Sequence, residues 1–186
     1  MLHARVGPMF AAKTRGLVEV CREAARIGGP DAVVPLVPAR DTRSRGELRA
    51  HDGMRCPAYA VSTIEDFQRV VYPRPDLLLV AVDEVQLFDS WIVRELRLLA
   101  RRVPEVYVAG LLHDYRGAPF ENTVELLLCA DQITHVHARC VVCDAPAAFT
   151  HRKTGGGSRV QIGGAESYEA RCRRHWEEVV EDPWAP

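Results

Sequence analysis

The sequence has no excess of charge of either sign: its 186 residues carry 24 basic and 25 acidic side chains, a net charge of −1 with histidine neutral. Such a balance gives no long-range field for a polyanion, and no local basic patch stands out. Neither nucleic acid nor an acidic membrane surface is therefore an expected partner. No apolar run approaches the ~20 residues that a membrane-spanning helix needs. Residues 1–10 lack the basic start and apolar stretch of a secretory leader, so the expected location is the cytoplasm. Lysine is scarce, with only Lys13 and Lys153 in an arginine-rich background. The six cysteines, at 21, 56, 129, 140, 143 and 172, form no disulfide framework for a chain this long. What is present is 47% hydrophobic and 26% charged residues, a globular mix that excludes disorder, collagen and coiled coil.

Hydrophobic spacing predicts alternating strands and helices. Residues 2–6 read as a strand, and Leu17, Val20, Cys21 and Ala24 put one apolar face on a helix from Lys13 to Arg26, stopped by Gly28, Gly29 and Pro30. A β-rich run follows at 32–37, then a polar stretch at 40–55 that reads as a long loop, a strand at 59–61 and a helix at 63–71. Residues 77–82 are unbroken apolar, as suits a central parallel strand covered on both faces. A helix at 90–102, a strand at 106–109, a helix at 123–130 and a strand at 133–136 complete the pattern. It predicts an α/β fold with a doubly wound, mostly parallel sheet. The texture changes after His137, so residues 1–137 are expected to form the sheet domain, 138–178 a small second domain and 179–186 a tail.

Three segments carry candidate chemistry. The first, GPMFAAKT at 7–14, lies between the first strand and the first helix. Backbone amides there can cradle phosphate, Lys13 can add a point charge, and the Thr14 hydroxyl can ligate magnesium. The phosphate-loop pattern wants glycine where this chain has Ala12; an ordinary strand–turn–helix connection also fits the segment alone. In the second, the apolar strand ends in Asp83-Glu84 at the carboxyl edge of the sheet. There one carboxylate can hold a metal ion and the next can accept a proton, although a solvated turn would look similar. The third is C-x-x-C at Cys140 and Cys143, followed after residues 144–171 by C-x-x-H at Cys172 and His175. Three thiolates and an imidazole in two knuckles suit a closed, structural tetrahedral zinc site, with His135 and His137 read as ordinary strand residues.

Together these residues resemble the type II thymidine kinases, which join a P-loop NTPase-type α/β domain to a small zinc-ribbon-like lasso domain. The resemblance spans about Val6 to His175. It includes GPMFAAKT (7–14), DTR (41–43), HDG (51–53), DEVQLF (83–88), AGL (109–111), DYRGAPF (114–120), CVVC (140–143) and IGGAESYEARC (162–172), in the family's order. It implies magnesium-dependent transfer of the γ-phosphoryl group of ATP to the 5′-hydroxyl of thymidine, in a homotetramer or homodimer subject to feedback inhibition. By the same resemblance, Gly7, Pro8, Met9, Phe10, Ala11, Ala12, Lys13, Thr14, Arg43, Asp83 and Gln86 bind the nucleotide and its metal, and Glu84 is the general base. Leu87, Leu111, Tyr115, Thr150 and Tyr168 line the nucleoside pocket. The glycine tract at 155–157 is expected to give the lasso freedom to open, and the zinc knuckles to pin its ends.

The chain departs from the family pattern at three positions. Ala12 replaces a glycine, at an expected cost of about 1–3 kcal/mol, or roughly 5- to 150-fold in nucleotide affinity. Leu87 stands where a phenylalanine is usual, and Leu112 where an aspartate is frequent; both bear on base preference. Ala12 also motivates an alternative, a catalytically weak nucleoside- or nucleotide-binding protein. Another P-loop NTPase with an attached zinc ribbon is a further possibility. Only six residues precede Gly7, which leaves a short strand to anchor the loop.

Overall fold

The computed structural model describes residues 1–44, 46–154 and 158–180. Position 45, the glycine tract at 155–157 and residues 181–186 lie outside the described residues; the expected lasso freedom and most of the expected tail fall there. In chain order the strands are β1 (Leu2–Val6), β2 (Val33–Pro38), β3 (Glu47–Arg49), β4 (Arg55–Pro57), β5 (Tyr59–Val61), β6 (Leu79–Val82), β7 (Glu105–Gly110), β8 (Gln132–His135), β9 (Ala138–Arg139), β10 (Pro146–Ala147), β11 (Phe149–Arg152) and β12 (Tyr168–Arg171). The α-helices are α1 (Lys13–Gly28), α2 (Ile64–Val71), α3 (Trp91–Leu99), α4 (Glu121–Cys129) and α5 (Arg173–Glu177).

Six strands form one sheet in the order β5-β2-β6-β7-β1-β8, and every pairing in it is parallel. The apolar β6 is an interior strand because side chains from both of its faces need cover. Val80 and Val82 join α2, α3 and α4 through Phe67, Val71, Ile92, Leu96 and Leu126. Leu79 and Ala81 join α1 through Leu17, Val18 and Cys21 on the other face. Helices thus cover both faces, the doubly wound arrangement that the alternating pattern implies. Helix α2 starts one residue later than the spacing suggests, because Thr63 is its N-cap and forms a reciprocal capping box with Asp66.

The stretch at 40–55 corrects the sequence reading, for it is not simply a loop. Strands β3 and β4 pair antiparallel as a hairpin, with Leu48 opposite Cys56. Each arm has only three residues, too few for alternation to show against the surrounding charges. Fully buried Leu48, with Met54 and Cys56, packs under α1, which gives the hairpin its apolar anchor. The HDG triplet makes its turn: Gly53 has φ +89° and its amide donates to the Ala50 carbonyl at 3.1 Å.

The large sheet ends at His135, and β9 begins at Ala138. Beyond it, β9 pairs with β10 and β11 with β12, both antiparallel. This small lobe has its own cluster of Ala138, Cys140, Ala147 and Ala170, which also takes in Ala11 from the loop after β1. Among the described residues no helix is long and apolar enough to cross a membrane.

Candidate active site

The loop at 7–14 links the end of β1 to the start of α1, and its shape is set by close contact. A Cβ on Gly7 would lie 2.2 Å from the Val136 carbonyl oxygen, so only glycine lets the loop leave the sheet there. Phe10 and Ala12 then hold φ values of +67° and +55°, the left-handed region that side chains other than glycine's rarely adopt. Lys13 opens α1 with its ammonium donating to the Pro8 carbonyl at 2.6 Å. Burial lowers the Lys13 pKa, and the charges of Glu84 and Asp83 work against that shift.

Strand β6 delivers the carboxylates. Buried Asp83 accepts a hydrogen bond from the Thr14 hydroxyl at 2.7 Å and another from the Glu84 amide at 3.0 Å. Burial and the adjacent Glu84 charge push the Asp83 carboxyl up to about 7, with the Thr14 hydroxyl and Lys13 opposing. Glu84 itself is left-handed, with φ +49°, which turns it out of the strand. Its Oε2 accepts from Gln86 Nε2 at 2.5 Å, and its Oε1 lies 3.7 Å from Arg43 Nη2. The other end of Gln86 accepts the Leu111 amide at 3.1 Å. Arg43 reaches this point because Asp41 holds its guanidinium at 2.8 and 3.0 Å, while it donates to the Gly163 carbonyl at 2.6 Å.

Two clefts meet at Glu84. One is lined by Met9, Phe10, Ala11, Ala12, Lys13, Thr14, Arg43 and the hairpin turn at His51-Asp52. The other is lined by Leu87, Leu111, Tyr115, Thr150 and Tyr168, so all five residues assigned to the nucleoside come together there. Met9, Arg43 and Glu84 face both clefts. Four of the assigned nucleotide residues are not in the lining of the first cleft: Asp83 faces an adjoining groove that shares Thr14, Arg43 and Glu84, Gln86 lines the second cleft, and Gly7 and Pro8 face a separate cavity behind the loop. Leu112 also lines that rear cavity, between Leu111 and His113 of the second cleft.

Residues that sequence reasoning left unassigned complete the second cleft. Arg152 stacks over Tyr115 at 3.9 Å and donates to the Tyr168 hydroxyl at 3.1 Å, and that hydroxyl donates to the Gln161 carbonyl at 2.7 Å. Arg159 donates to Asp114 and Glu121, each at 3.1 Å, and clips the segment before β12 onto the loop before α4. Their partners lie tens of residues away in sequence, so no local spacing signals these pairs. Thr150 has a second contact, accepting the Met9 amide at 3.0 Å, which ties the small lobe to the loop at 7–14.

The ligand atoms of Cys140, Cys143, Cys172 and His175 all lie within 4.8 Å of one another. The Cys143 and Cys172 sulfurs are 3.8 Å apart, and His175 Nδ1 is 3.6 Å from Cys140 Sγ and 3.3 Å from Cys172 Sγ. A tetrahedral ion with bonds of 2.0–2.3 Å separates its ligand atoms by about 3.3–3.8 Å, so the cluster fits structural zinc. Burial works against ionising the Cys140 thiol, but the amides of Cys172, Val142 and Cys143 and the His175 ring bring it down to about 6. Neither His135 nor His137 belongs to the cluster.

Known proteins match this sequence along almost the whole chain. A family model described as thymidine kinase matches residues 1–176. A thymidine kinase of Pyrobaculum aerophilum is 38% identical over 187 aligned residues, covering 95% of this chain and 98% of its own length. Thymidine kinases of Thermococcus kodakarensis and Bdellovibrio bacteriovorus are 37% and 35% identical, covering 94% and 96% of this chain and 92% and 86% of their own. With a family model matched over residues 1–176 and relatives 35–38% identical along nearly their whole length, the chain belongs to the thymidine kinase family.

Proposed function

We propose that this protein phosphorylates thymidine at its 5′-hydroxyl with the γ-phosphoryl group of ATP. The observation that carries the reading is Glu84, which stands where a lysine-bearing cleft meets an apolar, tyrosine-walled one. Triphosphate would occupy the first, where backbone amides of the 7–14 loop and Lys13 face its oxygens. Thr14 and Asp83 offer hard oxygen donors 2.7 Å apart; magnesium held there would neutralise phosphate charge. The nucleoside would enter the second cleft, with its base among Leu87, Leu111, Tyr115 and Thr150 and its sugar under Tyr168. Glu84 then accepts the 5′-hydroxyl proton as that oxygen attacks the γ-phosphorus, and the leaving diphosphate oxygen departs on the opposite side. Arg43, held by Asp41 between the clefts, balances the charge that spreads over the transferred group.

Exposed residues along the edge strand β8, including Ile133 at 46% exposure, and Leu128 at 84% on α4 support association with further copies, as the homotetramer or homodimer reading requires. The balanced charge fits small-molecule partners rather than nucleic acid, and a cytoplasmic location fits the chemistry. The test is thymidine monophosphate formation by zinc-replete protein with Mg-ATP. Product from the parent that is lost in Glu84→Gln supports the assignment. ATP hydrolysis that does not need thymidine would favour a plain NTPase instead. The weak-binding alternative rests on the left-handed Ala12 and predicts nucleoside binding without measurable turnover.

A further inference from the structure

Glu84 ends its strand in a left-handed turn and carries a flexible side chain, so its carboxylate needs a partner to hold it in one place. Gln86 is that partner. It is buried on the short 3-10 turn at Val85–Leu87 and spans the gap between Glu84 and the end of β7. Its Nε2 donates to Glu84 Oε2 at 2.5 Å, and its Oε1 accepts from the Leu111 amide at 3.1 Å. These two neighbours fix which way the amide faces, because a flip would set its oxygen against a carboxylate and its NH2 group against an N–H. The other carboxylate oxygen, Glu84 Oε1, lies 3.7 Å from Arg43 Nη2, outside hydrogen-bond range. Room for the amide comes from Gly110, the last residue of β7. A Cβ there would lie 2.8 Å from Gln86 Oε1 and 2.8 Å from Val85 Cγ1, so glycine at this point serves space.

We propose that Gln86 is a positioning residue for phosphoryl transfer: anchored at Leu111, it holds Glu84 Oε2 and leaves Oε1 as the oxygen that takes the proton. This role rests on the kinase reading, which it deepens. In the step, Oε1 takes the proton of the nucleoside 5′-hydroxyl while that oxygen bonds the γ-phosphorus. The bond from phosphorus to the diphosphate oxygen breaks, and its electron pair leaves with the diphosphate. Gln86 itself gains and loses no atom. Its contribution is geometric, and a reacting group misplaced by about 1 Å can cost on the order of 100-fold in rate.

The anchor also links the base to the substrate it serves. Leu111 lines the nucleoside cleft, and so does Gln86, which is absent from the lining of the cleft assigned to the triphosphate. The family resemblance groups Gln86 with the nucleotide-binding residues, whereas its two polar ends are engaged with Glu84 and the backbone at Leu111. One side chain thus ties the wall that receives the nucleoside to the carboxylate that deprotonates it. A nucleoside seated against Leu111 meets Oε1 at a set position.

The experiment measures thymidine monophosphate formation and melting temperature for the full, zinc-replete chain beside Gln86→Met and Gln86→Glu. Gln86→Met keeps the bulk and removes both hydrogen bonds. Gln86→Glu keeps an acceptor for the Leu111 amide but replaces the donor to Glu84 with a second carboxylate. Both variants should lose roughly tenfold or more in kcat with the KM for ATP within about twofold of the parent. The thymidine KM should stay nearer the parent value in Gln86→Glu, where the anchor at Leu111 survives. Parent-like kcat in Gln86→Glu would show that only the anchor matters, and overturns the role. A loss confined to the ATP KM overturns it too, in favour of a nucleotide ligand. Should Gln86→Met fail to fold, Gln86→Glu decides alone. No product from the parent defeats the kinase reading itself, whereas product from the parent with kcat unchanged in both variants defeats only the role of Gln86.

Discussion

Phe10, Ala12 and Glu84 are three of the four non-glycine residues with positive φ among the described residues, and all three line the lysine-bearing cleft. Such conformations persist only where the surrounding structure holds them, and they gather where function needs the backbone aimed. For Ala12 the left-handed geometry is carried by the fold itself, so its cost falls mainly on folding. Ala12→Gly should therefore stabilise the protein by about 1 kcal/mol, seen as a rise in Tm, with ATP affinity within about twofold of the parent. A tenfold gain in ATP affinity would show that the strain acts on binding instead, and would strengthen the weak-binding alternative. Asp83 gives a second prediction at this scale. Its folded value of about 7 lies above its ordinary 3.8, so the stabilisation tied to its protonated form is complete below about pH 4 and is lost as pH rises through 7. Asp83→Asn cannot ionise and should melt higher than the metal-free parent at about pH 8, with no advantage at about pH 4. Equal melting at both values would show that the carboxyl titrates normally.

At the scale of elements, the junction of β1 with the loop that follows is the tightest point of the site. Val136 donates to the Val6 carbonyl at 2.8 Å, and its own carbonyl occupies the space beside Gly7. Gly7→Ala must push backbone against backbone, and should cost about 1–3 kcal/mol by thermal or urea unfolding. An unchanged Tm would mean that β8 yields at no cost. The loop also leans on the other lobe, because the Thr150 hydroxyl receives the Met9 amide. Thr150→Val keeps the shape and removes that acceptor, so ATP as well as thymidine should bind more weakly. A change confined to thymidine would confine Thr150 to the nucleoside cleft. These elements were legible to different degrees. The Gly7–Thr14 turn and the β6 strand declare themselves in a few adjacent residues, because local backbone demands and two-sided burial dictate their composition. The β3–β4 hairpin did not, since its three-residue arms owe their form to α1 packed above them.

For the whole molecule the question is how the small lobe is held over the sheet. Trp176 on α5 stacks on Phe149 at 4.5 Å and donates from its indole nitrogen to the Tyr115 carbonyl at 3.1 Å, while Arg159 grips Asp114 from the segment before β12. The Cys3His cluster joins the turn between β9 and β10 to the start of α5. Zinc removal should therefore loosen the lobe that carries Thr150, Arg152 and Tyr168, raising the thymidine KM by roughly tenfold and the ATP KM by less. An equal rise in both, measured after chelation and reversed by zinc, would mean that the lobe supports the two clefts alike. The cluster's four ligands stand in two short knuckles, so sequence alone displays the donor set. The clips made by Arg152 and Arg159 join segments far apart in the chain, and no single stretch encodes them.

The sequence by itself determined whatever depends on neighbours along the chain. That covers the strand–helix alternation, the loop that presents Lys13 and Thr14, the carboxylates at the end of β6 and the two metal knuckles. Periodicity, backbone sterics and ligand spacing act over a few residues and leave a local record. Tertiary structure alone decided what meets what. It put Glu84 between the two clefts, turned Gln86 toward Leu111, and withdrew Gly7, Pro8 and Leu112 to the rear cavity. Those contacts arise from packing between elements distant in sequence, where many residue types satisfy the local pattern and only the assembled core selects which of them touch.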